Sequence, residues 1–344
     1  MQFTPNENDL ISDQEWSIET INKVLDLGAD IKKIPQKYYT ALDRKSICLY
    51  FFNPSLRTRN SFEVGINQMG GHGVFVDSKT SWLGQDSESV KDTAAVLSRY
   101  FDLIAIRMFP NAVDWVPEKS NELLREFAKW SRVPVINMED DMFHPCQALA
   151  DAFTIKERTG KFKGTKITIT WAYHPKPLPM AVPNSALLIA TRLGMDVTFA
   201  RPDENFDLPD LIMETAKDNA KKSGGKLTIA TDMKGGCDGA DFVYLKSWGA
   251  KKFYGDAQAE KKLRMKYRGE DGTAWQLTPD KMAAAKPTGK FMHCLPVRRN
   301  VEVADAVIDD EQRSIVYDEA ENRLHVQKAI MKVLAEKGIK KQGK

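Results

Sequence analysis

The chain has 344 residues, 42% of them apolar, and a formal net charge of +3. That length suits two domains of ordinary size, each with a buried core. So small and balanced a charge argues against a nucleic-acid or acidic-membrane partner. At the start, Met1-Gln2-Phe3-Thr4-Pro5 has no basic region leading into an apolar core, so no signal peptide is expected. Trp16, Ile18, Ile21 and Leu25 predict an amphipathic helix near 12–28. The apolar run Ile47 to Phe52 predicts a buried strand over 46–52. It runs into Asn53-Pro54-Ser55-Leu56-Arg57-Thr58-Arg59, where Pro54 and Ser55 read as a helix start. Phe62, Ile66 and Met69 then recur at i, i+4, i+7, which predicts a helix over 55–69 with one face packed inward. Its start gathers hydroxyls, unpaired backbone N–H groups, the positive end of the helix dipole and arginines. Such a point binds a phosphate, though the same residues also suit an ordinary basic helix start in water.

A short strand at Val74-Phe75-Val76 follows, then a polar loop, 78–86, that carries Trp82. A large aromatic in a polar loop serves either local packing or contact with a neighbouring subunit or ligand. A helix over 88–100, a strand over Leu103–Ile106 that ends on Arg107, a helix over 119–130 and a strand over 133–136 come next. This alternation implies parallel β-α units, whose ligands gather at the carboxyl ends of the strands. Three loops on that edge stand out: Asn53–Arg59, the one holding Arg107, and Asn137 to Gln147 with Glu139 and His144. Pro145 fits a first helical position, which makes His144 either a plain cap or a ligand beside Gln147.

After a helix over 145–158, Lys161-Phe162-Lys163-Gly164 reads as a candidate domain hinge. A second series of units follows. Strands are predicted over 166–171, 196–200, 226–230, 241–245 and 290–292, with helices over 184–194 and 207–222. Residues 172–185 form a stiff loop with several prolines that ends at Asn184 and Ser185. Strand 241–245 ends on Lys246-Ser247-Trp248-Gly249, and strand 290–292 ends on His293-Cys294-Leu295-Pro296-Val297-Arg298-Arg299-Asn300. The charged stretch 250–272 reads as a surface excursion. Ile315-Val316-Tyr317 reads as a late strand, a final helix starts near Glu319, and the Lys-rich tail from Lys337 reads as a frayed end. Cys48, Cys146, Cys237 and Cys294 form no C-x-x-C pair, so neither a zinc framework nor a disulfide scaffold is expected and a reducing cytoplasm is the default setting. No apolar run is long enough for a bilayer. No glycine fingerprint follows a strand, and no Walker-type loop or H-E-x-x-H occurs, which argues against dinucleotide and nucleoside-triphosphate chemistry.

Ser55-Leu56-Arg57-Thr58-Arg59 resembles the S-x-R-T-R signature of the aspartate/ornithine carbamoyltransferase family, His144-Pro145-Cys146-Gln147 its H-P-x-Q, and His293-Cys294-Leu295-Pro296 its H-C-L-P. The motifs stand in the family's order, with Arg107 and Arg323 also in place, and the resemblance covers residues 10 to 335. It implies an α/β fold of two domains, each a parallel sheet flanked by helices, the second one knotted. Residues 1–158, completed by a C-terminal helix over about 320–344, would bind carbamoyl phosphate, and 162–318 would bind the amine acceptor.

The resemblance further implies that Ser55, Leu56, Arg57, Thr58 and Arg59 hold the phosphate, and that Arg107, His144 and Thr58 face the carbamoyl oxygen. Gln147 and the backbone carbonyls of Cys294 and Leu295 would accept from the carbamoyl NH2, across a cis Leu295–Pro296 bond, with Arg323 joining them. Trp82 would reach the neighbouring site in a homotrimer. No metal or organic cofactor is implied.

Where ornithine enzymes carry an Asp, this chain has Lys246, a cation that disfavours a free α-ammonium. Lys246-Ser247-Trp248, the Pro-rich loop and Arg298 are similar to the branch that acts on N-acetylornithine, with the N-succinylornithine branch next. Lys246 and Arg298 would face the carboxylate and acyl oxygens, and Glu139, Asn184 and Leu295 other acceptor atoms. Glu302 stands where N-acetylornithine enzymes have a carboxylated lysine and supplies a similar negative end. Residues 86–93 are shorter than that branch's insert and look more like ordinary ornithine enzymes. The alternatives are N-succinylornithine, ornithine or a small diamine as acceptor and, in a different class, a non-catalytic anion-binding homologue.

Overall fold

A computed structural model describes residues 3–80, 83 and 87–340. They form two compact units. One takes in the chain up to Phe153 and again from Glu321, and the other is Thr154–Ala320.

The first unit runs α1 (Ile18–Lys33), β1 (Ser46–Phe51), α2 (Arg57–Asn67), β2 (His72–Asp77), α3 (Val90–Tyr100), β3 (Leu103–Arg107), α4 (Lys119–Trp130), β4 (Val135–Glu139) and the start of α5 (Pro145–Thr159). Its strands are parallel in the order β2-β1-β3-β4. β1, β3 and β4 are buried along nearly their whole length because helices cover both faces of such a sheet. On one face Cys48, Tyr50, Ile104 and Ile106 pack with Ala94, Leu124 and Phe127. Each fully buried large apolar side chain of this kind contributes about 1.5–3 kcal/mol.

The second unit runs β5 (Lys166–Trp171), α6 (Ala181–Arg192), β6 (Asp196–Ala200), α7 (Asp210–Ser223), β7 (Lys226–Ala230), α8 (Met233–Gly236), β8 (Phe242–Lys246), α9 (Ala257–Met265), α10 (Pro279–Met282), β9 (Lys290–Met292) and α11 (Asp305–Ile308). Its sheet is again parallel, in the order β7-β6-β5-β8-β9. The last helix, α12 (Val316–Ala335), starts in this unit and brings its residues from Glu321 onward into the first. Among the described residues no helix is long and apolar enough to cross a membrane.

Several local expectations shift. The helix expected near 12–28 begins only at Ile18, because the Ser17 side chain accepts from the Thr20 N–H and caps it there. Trp16 stays outside that helix, buried, with Nε1 donating to the Asp9 carbonyl at 2.7 Å. The helix expected over 55–69 starts at Arg57, with Leu56 already in right-handed helical conformation before it. Residues 315–317 are not a strand. One bridge joins Phe291 to Ser314, and α12 starts at Val316, where Glu319 N–H bonds to the Ile315 carbonyl. Nor is the tail frayed over its described part. Lys337 donates to the Glu7 carbonyl, and Lys340 pairs with Asp9 at 2.8 Å. The charged stretch 250–272 is more than a surface excursion, for α9 within it buries Glu260 and Arg264.

Gly224 closes α7 in the left-handed region at φ +77 and lets the chain fold straight back into β7. A Cβ on the next residue, Gly225, would lie 2.5 Å from the Met195 carbonyl oxygen, a backbone atom that cannot swing aside. Gly225→Ala is therefore expected to cost roughly 2 kcal/mol of stability. Urea unfolding checks this, and a midpoint equal to that of the parent would contradict it.

Candidate active site

In the first unit the strand order reverses direction between β1 and β3, and the carboxyl ends there are where a parallel sheet takes its ligands. Register brings the key residues level, with Phe51 opposite Arg107 and Arg107 opposite Glu139. A slip in the pairing between Ile106 and Arg107 lets Arg107 sit opposite Glu139, as bulges beside functional sites do. Arg107 Nη1 donates to Thr58 Oγ1 at 3.2 Å and lies 2.6 Å from Glu139 Oε2. From α12, Arg323 Nη2 donates to the same Thr58 oxygen at 2.9 Å, and its Nη1 donates to Gln147 Oε1 at 3.0 Å. Gln147 Nε2 in turn donates to Asp151 at 2.7 Å. Thr58, Arg107, Glu139, His144, Gln147 and Arg323 are all buried.

A hydroxyl has two acceptor positions and one proton. Both acceptor positions of Thr58 are taken by guanidinium groups, so its proton is left to donate to something else. Burial, then Arg323 and Arg107, hold the His144 imidazole well below the usual histidine range, so it is neutral at physiological pH. Its Nε2 lies 3.3 Å from Glu139. His144 also acts as the cap, since its carbonyl accepts from the Ala148 N–H at 3.1 Å as α5 begins at Pro145. The phosphate-type residues line the rim. Ser55 and Arg57 are half-buried and Leu56 exposed, while Arg59 stacks on the Phe75 ring at 3.6 Å and pairs with Glu63 at 3.1 Å. A cavity at this point is lined by Asn53, Pro54, Ser55, Leu56 and Arg59 with Phe75.

Sequence reasoning missed what holds the His144 loop. Asp140 accepts from Asn121 Nδ2, Asn137 Nδ2 and the N–H groups of Met142 and Phe143, and Asp141 accepts from the Asn121 N–H. The one available signal was two adjacent acids just before a His-Pro pair. Trp82 lies outside the described residues.

In the second unit the strand order reverses between β5 and β8, where Trp171 is level with Lys246. Lys246 is only 8% exposed, yet its ammonium has no hydrogen bond and no ion pair among the described residues. Glu302 is buried nearby, with Oε2 accepting from the Arg298 N–H at 2.8 Å and Oε1 3.9 Å from His293 Nε2. Burial alone would raise this carboxyl. His293, Lys246 and the Arg298 N–H outweigh it and bring it down to about 2. His174, which sequence reasoning left unassigned, is pushed down by burial and feels Glu302, Lys246 and Arg298. Arg298 has an exposed side chain, Asn184 is fully buried at the start of α6, and Cys294 and Leu295 are half-buried. The Leu295–Pro296 bond is cis. The turn is fixed by the Leu295 N–H on His293 Nδ1 at 2.8 Å and the His293 N–H on Glu319 at 2.8 Å.

Two parallel-sheet units, one with buried arginines on a threonine hydroxyl and one with an unpaired lysine at its sheet edge, define an anion-handling transferase, and the chain belongs to the aspartate/ornithine carbamoyltransferase family. Residues 8–157 match that family's carbamoyl-P binding domain, and residues 164–334 match its Asp/Orn binding domain. The chain is 45% identical over 338 residues to the N-acetylornithine carbamoyltransferase of Xanthomonas axonopodis pv. citri (strain 306), covering 94% of this chain and 96% of that protein. It is 34% identical over 328 residues to the ornithine carbamoyltransferase of Listeria monocytogenes serotype 4a (strain HCC23), covering 95% and 96%. Among solved structures, acetylornithine transcarbamylase complexed with acetylcitrulline matches with a TM-score of 0.86 at 43% identity, over 99% of this chain and 100% of that one.

A carboxyl held down in the folded state contributes stability above its unfolded pKa and loses it as pH falls through the folded value. For Glu302 that window runs from about 4.5 down to about 2. The contribution at neutral pH is on the order of 3 kcal/mol. Glu302→Gln is expected to melt below the parent at pH 7, with the gap closing as pH falls below about 4.5. Thermal melts across pH check this, and a gap that stays constant would contradict it.

Proposed function

We propose that the protein transfers the carbamoyl group of carbamoyl phosphate to the side-chain amine of N-acetyl-L-ornithine, giving N-acetyl-L-citrulline and phosphate, in arginine biosynthesis. The observation that carries the reading is the Thr58 hydroxyl between two buried guanidinium groups, with only its proton left to offer. In the reaction the neutral amine adds to the carbamoyl carbon, negative charge builds on the carbamoyl oxygen, and as the carbonyl re-forms the bond from that carbon to the bridging oxygen of the phosphate breaks. Phosphate leaves with the electron pair, and the amine proton is lost to it or to water. Groups that donate without moving are what such a step needs. Arg107, Thr58 and the neutral His144 would take the carbamoyl oxygen, and the basic rim of Ser55, Leu56, Arg57, Thr58 and Arg59 the phosphate, with charge-assisted bonds. Gln147 and the carbonyls of Cys294 and Leu295 are the proposed acceptors for the carbamoyl NH2, with Arg323 beside them.

Lys246 supports an acylated acceptor. A nearly buried ammonium with no hydrogen bond or close ion pair among the described residues repels a free α-ammonium and attracts a carboxylate. The greater similarity to N-acetylornithine enzymes than to ornithine enzymes points the same way. Arg298, Glu302, Asn184 and Glu139 are proposed to complete the acceptor's polar contacts. The proposal extends to a homotrimer in which the Trp82 loop serves the neighbouring site, to a carbamoyl-phosphate role for the first unit and an acceptor role for the second, and to a cytoplasmic setting.

Purified protein given carbamoyl phosphate and a panel of ornithine, N-acetylornithine and N-succinylornithine is expected to release phosphate fastest with the N-acetyl form. Strong turnover of ornithine with none of the acylated forms would overturn the acceptor. Thr58→Val keeps the side-chain shape but removes the hydroxyl, both as donor and as the shared acceptor of Arg107 and Arg323, and is expected to lower kcat by about 10²–10³ in a protein that still folds but melts below the parent. A variant within twofold of the parent would remove Thr58 from the chemistry.

A further inference from the structure

We propose that the buried Glu260–Arg264 pair on α9 is a positioning element that sets the backbone around Lys246 and thereby controls acceptor binding without touching the substrate. The inference rests on Lys246 as an acceptor ligand. Both members of the pair are 0–1% exposed, in the middle of a stretch whose composition reads as solvated surface. Arg264 Nε donates to Glu260 Oε2 at 2.9 Å, and Nη2 donates to Glu260 Oε1. The remaining donors go elsewhere: Nη1 to the His174 carbonyl at 3.1 Å and to Ser247 Oγ at 3.2 Å, and Nη2 to the Trp248 carbonyl at 3.1 Å. Every N–H of the guanidinium is therefore spoken for. Glu260 Oε1 also accepts from the Ala250 N–H at 3.2 Å.

These bonds fall on two loops only, the one after β5 that begins the Pro-rich segment and the one after β8 that follows Lys246. The loops are the two that flank the point where the strand order of this sheet reverses. They are further tied by Gly249 N–H on the Leu178 carbonyl at 2.9 Å and by Trp171 Nε1 on the Trp248 carbonyl at 2.9 Å. A buried ion pair is a poor device for stability, since an apolar pair of the same volume does as well or better. A planar fork that reaches three backbone or hydroxyl oxygens on separate loops is instead a device for geometry, and lysine cannot replace it because a single ammonium lacks the fork. The residues next to Lys246 are held, and its ammonium carries no hydrogen bond or ion pair of its own among the described residues, so it is aimed by the backbone that Arg264 fixes.

The test compares the parent protein, Arg264→Lys and Glu260→Gln. Acceptor KM and kcat are measured at saturating carbamoyl phosphate, carbamoyl phosphate Kd by calorimetry, and amide hydrogen exchange at Gly249 and Ala250 by mass spectrometry. Arg264→Lys is expected to raise the KM for N-acetylornithine about tenfold or more, with kcat within about threefold and carbamoyl phosphate Kd unchanged. Exchange at the two amides is expected to quicken. Glu260→Gln, which keeps the volume, is expected to shift the same readouts in the same direction by a smaller factor. If Arg264→Lys does not fold, the same readouts on Glu260→Gln decide the matter. An acceptor KM equal to that of the parent in a folded variant with quickened exchange would overturn the proposal, as would equal losses for both substrates. If the parent turns over no acylated ornithine, the acceptor reading falls by itself. The positioning role is then judged on exchange alone, and unchanged protection at Gly249 and Ala250 overturns it.

Discussion

Two guanidinium groups share one threonine oxygen, and the first unit is arranged around that contact. The Nη atoms of Arg107 and Arg323 on Thr58 can be no more than about 6 Å apart. Two unit charges at that separation repel by about 3 kcal/mol at an effective dielectric of 20. Glu139 offsets part of this through its 2.6 Å contact with Arg107. A bound anion would offset the rest, so the unit carries a built-in preference for a negatively charged ligand. The contact also explains the topology. Arg107 ends β3, Thr58 lies in the first turn of α2, and Arg323 is 265 residues further along the chain on α12. The site exists only because the last helix returns to the first unit.

The second unit solves the opposite problem. Its conspicuous charge, Lys246, is nearly buried and its ammonium makes no hydrogen bond or ion pair among the described residues, while Glu302 accepts from the Arg298 N–H through one carboxylate oxygen and has the other 3.9 Å from His293. The unit thus holds a carboxylate tied to the backbone through one oxygen and an ammonium with no such tie. Arg264, buried and using every donor, sits at the root of both loops concerned. Among the described residues the buried arginines are used in two ways. At Arg107 and Arg323 the guanidinium donates to Thr58, beside the residues proposed to hold carbamoyl phosphate. At Arg264 it faces only the chain.

Much of this was legible in the sequence. Apolar runs at 47–52 and 103–106 announced buried strands and 166–171 a further strand, and their carboxyl-end loops carried the polar residues that the structure gathers. Thr58, Arg107, His144 and Gln147 come together as that edge argument requires. Other features depend on long-range contacts that no local pattern encodes. Ile315-Val316-Tyr317 has strand propensity, but after a single bridge the acidic first turn of α12 takes it into a helix. Glu260 and Arg264 sit among lysines and read as solvent-facing, because an i,i+4 ion pair looks the same in sequence whether exposed or buried. The ties of Asp140 to Asn121 were invisible for the same reason, being 19 residues apart with no periodic signal. His174 gives no signal in the sequence because its surroundings are neighbours brought by other strands.

If the Thr58, Arg107 and Arg323 cluster is an anion site completed by carbamoyl phosphate, binding of that ligand depends on all three residues. Calorimetric titration of carbamoyl phosphate into the parent protein and into Arg323→Met tests this most directly, because binding is read without turnover or acceptor. Measurable binding by the parent is expected, with a loss of about a hundredfold or more in a folded Arg323→Met, as when one partner of a buried charge cluster is removed. Equal affinity in the two proteins, or no binding by the parent, would contradict it.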